Sequence, residues 1–302
     1  MTVHEPTRNR GTERRRAFVL GGGAALGAHQ VGALKYLEET GIKPDVLICS
    51  SIGVINACVY GTGGVPALEE AWTNFRALSH VFSPTWKDNP ITGLSLSSID
   101  RLASSLEEFM DFPKLLESRL DLQFILLNLS RGRGEMWSNH QCRDWRELRT
   151  IARAGYSIPP LFPPIRFRGN DYIDGGLAWN VPLGYTLEVQ ATEIFIIAPI
   201  SSQLPYHGPF KSRIAYLRRV LDVLFRTIGN TGRIHTRLDG GFFHGTPVTV
   251  IEPGEDLSGF SLGGLFNSYP EKATRLIAAG YRDAKRAIER PQKVAERKLH
   301  AV

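Results

Sequence analysis

The stretch "PDVLICSSIGVINA", residues 44–57, decides how this chain is read. "PDVLIC" is a short apolar run entered through Pro44, and it reads as a buried strand. Two serines follow, then a glycine and a second apolar run with helical spacing. A strand that passes into a helix through so tight a turn holds one side chain up at the carboxyl end of a sheet. That is the geometry of a nucleophile elbow, G-x-S-x-G. Centred on Ser51, the local pattern is Cys49-Ser50-Ser51-Ile52-Gly53, with the second glycine present and a small cysteine at the first. Centred on Ser50, both glycine positions are taken by isoleucines, Ile48 and Ile52. Ser51 is therefore the candidate nucleophile. By itself the pentapeptide also fits a serine that merely caps a helix.

Upstream, "RAFVL" (16–20) reads as another buried strand, and it stops at Gly21-Gly22-Gly23. Apolar residues then recur at Ala28, Val31, Leu34 and Leu37 before Gly41, which is a helix with a glycine stop. Strand, helix, strand, helix in immediate succession is a βαβ start. It predicts a parallel sheet with helices on its faces. The glycine loop exposes backbone N–H groups at a helix start, a place for a phosphate or a developing oxyanion. A dinucleotide fingerprint, G-x-G-x-x-G, fails in both registers, because Leu26 or Ala24 falls where glycine is needed.

Downstream, "LQFILLNLS" (122–130), "EIFIIAPI" (193–200) and "PVTVIEP" (247–253) read as further strands. Residues 65–120 read as helical around a loop at 83–93, and 143–155 and 270–289 as helices. Four prolines in 157–176 exclude a long helix, and the end of that segment reads as a hairpin, "IRFR", turn "GN", "DYID". Asp174-Gly175-Gly176 leaves that hairpin into "LAWNVPL". Taken alone, an aspartate before two glycines is an ordinary turn.

The chain has 302 residues and a formal charge of +6. Its three cysteines, Cys49, Cys58 and Cys142, have no paired spacing, which argues against a disulfide framework or a zinc site. A reducing, cytoplasmic setting is expected. Residues 1–16 read as a disordered basic tail without the apolar core of a secretory signal, 17–290 as one domain, and 291–302 as a second basic tail. No nucleic-acid-binding motif accompanies the positive charge. The segment 211–237 carries seven Lys and Arg against one Asp and an apolar stripe. It reads either as a helix packed on the sheet or as a peripheral contact for an anionic inner membrane face. "GFSLGGLF" (259–266) reads as a pocket rim or a packed loop. Nothing specifies an oligomeric state.

Together, "GGGAALGA", "SSIGVINA" and "DGGLAWNVPL" resemble the patatin-like phospholipase family, in order, spacing and flanking strands. The resemblance covers roughly residues 17–200. It implies a single-domain, three-layer α/β/α fold with a mostly parallel central sheet. It implies hydrolysis of (phospho)lipid carboxylic esters by a Ser51–Asp174 dyad, with Ser51 as nucleophile and Asp174 as general base. It also implies an oxyanion hole from the backbone of Gly21, Gly22, Gly23 and Ala24, with no cofactor and no metal in the chemistry. Two positions depart from the family pattern, Cys49 at the elbow's first glycine and Leu26 where a cation is common. They keep a second reading in view, a catalytically silent lipid- or protein-binding member of the same fold. A histidine-assisted triad is the lesser alternative. His29 lies on the helix after the glycine loop, and His140, His207, His235 and His244 lie in polar, loop-like surroundings.

Overall fold

The computed structural model describes residues 14–74, 83–84, 95, 97–202, 208–210, 212–213, 216, 219–220, 223, 237–254 and 270–289. Residues 1–13, the C-terminal tail, the segment 259–266 and most of 211–237 lie outside the described residues, as do His207 and His235. The last residues of the expected N-terminal tail are placed, with Arg14 and Arg16 paired to Glu193 and Arg16 opening the first strand.

The central strands form because their apolar residues alternate between two faces. In β1 (Arg16–Leu20), Phe18 and Leu20 point into one core cluster and Ala17 and Val19 into the other. β2 (Val46–Cys49) repeats this, with Leu47 and Cys49 on the first face and Val46 and Ile48 on the second. Strands covered on both faces read as unbroken apolar runs, which is why both were legible. Five strands run parallel: β11 (Thr246–Ile251), β9 (Glu193–Ile197), β1, β2 and β5 (Asp121–Asn128), in that order. Antiparallel strands extend the sheet on either side of this centre. β10 (Phe242–Phe243) pairs with β11. β6 (Arg133–Ser138) and β8 (Asn170–Asp174) both pair with β5, and β7 (Ile165–Phe167) pairs with β8. A two-stranded ladder, β3 (Ser83–Pro84) with β4 (Ser97–Ser98), lies apart from this sheet.

The helices are α1 (Ala28–Glu39), α2 (Ile52–Asn74), α3 (Asp100–Glu107), α4 (Phe112–Glu117), α5 (Trp145–Gly155) and α6 (Pro270–Glu289). All six contribute to the cluster on the first face. Among the described residues, the second face is covered by the short turns that follow Asp174, through Val181, Leu183 and Val189. The chain is thus a single α/β domain with a helical layer and a thinner turn layer about its sheet.

Two details differ from the sequence reading. The hairpin turns at Arg168-Gly169, one residue before the expected "GN", and both residues have positive φ (42° and 79°). Phe167 then faces Asn170 across a two-residue loop, the arrangement that suits the twist of the strands. β6 was not foreseen, because "RGEMWS" is glycine-containing, mostly half-exposed and poor in apolar alternation.

One register fact positions the site. β6 occupies one edge of β5 along residues 123–128. β2 and β8 must therefore share the other edge, β2 opposite residues 121–124 and β8 opposite 126–128. Cys49 faces Phe124 and Asp174 faces Leu126. The antiparallel strand thus delivers Asp174 into the space immediately beyond the end of β2, where Ser51 stands.

Candidate active site

β2 passes into α2 through Ser50 and Ser51 alone. The two serines do different things. Ser50 is fully buried and its Oγ donates to the Asn180 carbonyl at 2.8 Å. Ser51 has φ +53°, a left-handed conformation that a non-glycine residue adopts at a cost of roughly 1–2 kcal/mol. It lines a cavity of about 90 Å³. The glycine after it is required by packing, since a Cβ on Gly53 would overlap the Leu20 carbonyl of β1. Cys49 fits under the turn as part of the apolar cluster, and burial pushes its thiol well above its ordinary range.

Asp174 is 2% exposed and Ser51 7%. The Asp174 N–H is anchored on the Ser157 carbonyl at 3.1 Å, and its Oδ1 accepts the Gly176 N–H at 2.7 Å. Burial raises its pKa from an ordinary 3.8 to about 7. The nearby Ser51 hydroxyl and N–H and the bonded Gly176 N–H pull the other way. The structure places the two side chains about one point: a Cβ on Gly176 would come within 3.0 Å of Asp174 Oδ1 and 3.3 Å of the Ser51 Cβ.

The glycine loop faces the same space. A Cβ on Gly22 would come within 2.8 Å of the Ser51 Cβ. The four backbone amides singled out from sequence are not equivalent, however. The Gly21 N–H donates to the Ile197 carbonyl and the Gly22 N–H to the Asn180 carbonyl, each at 3.2 Å. Those two amides tie the loop to β9 and to the segment after Asp174. The N–H groups of Gly23 and Ala24 meet no acceptor among the described residues. Ala24 itself has φ +47° and lines the cavity beside Ser51.

Sequence reasoning missed Asn180. Its backbone carbonyl accepts from Ser50 and Gly22, and its side-chain Nδ2 donates to the Gly22 carbonyl at 3.2 Å. It therefore clamps the elbow, the glycine loop and the Asp174 segment together. Its signal was a lone amide inside the apolar "LAWNVPL". The cavity wall is apolar, with Ile55, Trp72, Leu106, Phe109 and Phe162 prominent, and among the described residues no histidine lines it. His29 is buried in α1 with Nε2 2.9 Å from Asp283 Oδ2. Leu26 is buried in the core cluster.

The patatin-like phospholipase family model matches residues 18–187, more than half of the chain. The chain belongs to the patatin-like phospholipase family. Curated relatives include the lysophospholipase nte1 of Aspergillus niger, 28% identical over 185 residues that cover 60% of this chain and 11% of that protein. The nte1 lysophospholipase of Aspergillus terreus is 27% identical, again over 60% of this chain and 12% of its own length. The patatin-like chain thus spans about an eighth of the length of these relatives. Among solved structures, VipD from Legionella pneumophila superposes with a TM-score of 0.53 over 92% of this chain and 67% of its own, at 13% identity. That likeness concerns the fold.

Proposed function

We propose that this patatin-like protein hydrolyses carboxylic esters of lipids, with Ser51 as nucleophile and Asp174 as its base. The observation that carries this reading is the meeting of Ser51 and a desolvated Asp174 beside an apolar cavity. The acyl chain lies in the cavity with its carbonyl over Ser51. Asp174 takes the hydroxyl proton as Ser51 Oγ attacks the carbonyl carbon. The Gly23 and Ala24 amides receive the oxyanion of the tetrahedral intermediate. Asp174 then returns the proton to the departing alcohol or lysolipid oxygen. In the second half, Asp174 takes a proton from water, hydroxide adds to the acyl-enzyme, and Ser51 leaves with the proton.

A carboxyl near pKa 7 is far better matched to this work at neutral pH than an ordinary aspartate. Each oxyanion donor typically contributes ~10²–10³ in rate, so the loop amides add to what the base supplies. The names of the curated relatives support a lysophospholipid-type substrate, one acyl chain on a polar head. The basic balance of the chain supports a peripheral encounter with anionic membrane.

The test is hydrolysis of short-chain p-nitrophenyl esters and of a mono- and diacyl phospholipid panel, with Ser51→Ala alongside. Turnover is expected to fall at least ~10³-fold in Ser51→Ala, with an unchanged thermal unfolding profile. Hydrolysis that persists in that variant would sink the assignment and favour the silent, binding-only reading.

A further inference from the structure

The glycine loop is held by more than its own backbone. The Gln30 side chain, fully buried on α1, donates from Nε2 to the Gly21 carbonyl at 2.7 Å and to the Ile197 carbonyl at 3.1 Å. The Asn56 side chain, fully buried on α2, donates from Nδ2 to the Gly27 carbonyl at 3.0 Å and to Gln30 Oε1 at 2.7 Å. Trp72, further along α2, donates its indole N–H to Asn56 Oδ1 at 2.8 Å. Each amide N–H₂ of the pair is used twice and each side-chain oxygen once. The network is therefore satisfied, and its amide orientations are set by its partners.

The carbonyls held in this way are those of Gly21 and Gly27, the two ends of the loop that contains Gly23 and Ala24. Two anchored ends fix the direction of the amides between them. A satisfied buried network has no cheaper alternative arrangement, because breaking one bond orphans its partner at a cost of several-fold to a hundred-fold in population. Asn56 and Trp72 also line the cavity beside Ser51. Two of the three bracing side chains are thus also part of the cavity wall.

We propose that Gln30, Asn56 and Trp72 form a positioning relay that aims the Gly23 and Ala24 amides at the reacting carbonyl. The relay acts on the transition state and not on substrate affinity, since none of its hydrogen bonds is made to the site of attack. This rests on the hydrolase reading above, and the experiment separates the two. Wild type, Ser51→Ala, Gln30→Met, Asn56→Leu and Trp72→Phe are compared on p-nitrophenyl acetate, whose acyl group is too short to need the cavity wall. Active sites are titrated with a fluorophosphonate, so that kcat refers to folded enzyme. A trifluoromethyl ketone, which forms a tetrahedral oxyanion adduct on serine, reports on the oxyanion site independently.

Gln30→Met and Asn56→Leu are expected to lose at least tenfold in kcat with KM within twofold, and to bind the ketone more weakly by the same factor. Trp72→Phe, which keeps an aromatic ring at the cavity wall and deletes the pyrrole part of the indole with its N–H donor, is expected to lose about threefold to tenfold in kcat in the same pattern on the short acetyl ester. If the first two variants do not fold, Trp72→Phe carries the decision. Unchanged kcat per titrated site in the folded variants overturns the proposal, as does a loss confined to KM. A wild-type enzyme with no Ser51-dependent activity overturns the hydrolase reading instead.

Discussion

Ser51 and Asp174 are expensive residues to keep as they are. Ser51 carries a left-handed backbone, and Asp174 is a carboxylate removed from water with few hydrogen bonds to compensate. The acid limb of kcat/KM on a neutral ester is therefore expected to have its midpoint near pH 7, because protonated Asp174 cannot take the Ser51 proton. A midpoint below pH 5 would contradict the assignment of Asp174 as base. The same carboxyl sets a stability trend. Its folded pKa of about 7 lies above its ordinary 3.8, so the folded state holds the proton more tightly than the unfolded chain. Stability attributable to this group is intact below pH 3.8, declines as pH rises, and is lost in full above about pH 7. The interval corresponds to roughly 4 kcal/mol at most. Asp174→Asn removes the ionisation. At pH 8.5 it is expected to melt about 3–6 °C above wild type by calorimetry, while losing turnover, and the gain is expected to shrink toward pH 5. A variant that melts lower than wild type at pH 8.5 would show that hydrogen bonding outweighs desolvation at this position.

At the scale of elements, α1 is the shared support. It follows the glycine loop directly, packs beside α2, and is crossed closely by α6. A Cβ on Gly32 would overlap the Ile277 carbonyl of α6, and one on Gly280 would overlap the His29 carbonyl of α1. Around this crossing Tyr36 and Tyr281 meet edge to face at 5.2 Å, the Tyr281 hydroxyl donates to Glu39 at 2.6 Å, and His29 meets Asp283. Gly280→Ala must push the two helices apart. It is expected to destabilise the protein by about 2–3 kcal/mol in urea titrations. Gly184→Ala, where a Cβ meets nothing within 4 Å, is the matched control and is expected to stay within ~0.5 kcal/mol. Equal effects at the two sites would remove the argument for close helix contact.

Elements were legible in the sequence to the extent that periodicity specified them. β1, β2, β5 and β9 are apolar runs covered on both sides, and α5 is capped by Asp144, whose side chain accepts the Arg146 and Glu147 N–H groups. α2 was legible as two helical stretches, one after the serines and one from residue 65, because Gly63 and Gly64 interrupt the pattern; the structure runs them together across a kink at those glycines to Asn74. β6 was illegible because an edge strand gains its place from pairing with β5 and not from its own burial.

On the scale of the whole molecule, the carboxyl ends of β1, β2, β9 and β11 come level at Leu20, Cys49, Ile197 and Ile251. The glycine loop, the elbow and the Asp174 segment gather at that end, the usual place for a site on a parallel sheet. No helix among the described residues is long and apolar enough to cross a membrane. On the proposed hydrolase reading a lipid substrate is met at a surface, and the formal charge of +6 favours an anionic one. More of the protein is expected to sediment with vesicles containing phosphatidylglycerol than with neutral phosphatidylcholine vesicles. The difference is expected to vanish at about 0.5 M salt, where the screening length is only a few ångströms. Equal sedimentation with both vesicle types would remove charge from the account of membrane encounter.

The amino-acid sequence alone determined the alternating strands, the order of glycine loop, serine turn and Asp-Gly-Gly, and hence the family likeness. These are local properties, written in side-chain periodicity and in the turn preferences of glycine, serine and aspartate. Only the tertiary structure decided which serine is free of the Asn180 carbonyl, which loop amides are engaged by backbone carbonyls, and that burial raises the Asp174 carboxyl. Those depend on the register of β8 against β5 beyond the end of β2, and on how much water the surrounding layers exclude. Neither is encoded at any single position, because hydrogen-bond competition and desolvation exist only once residues more than a hundred positions apart share one edge of a strand.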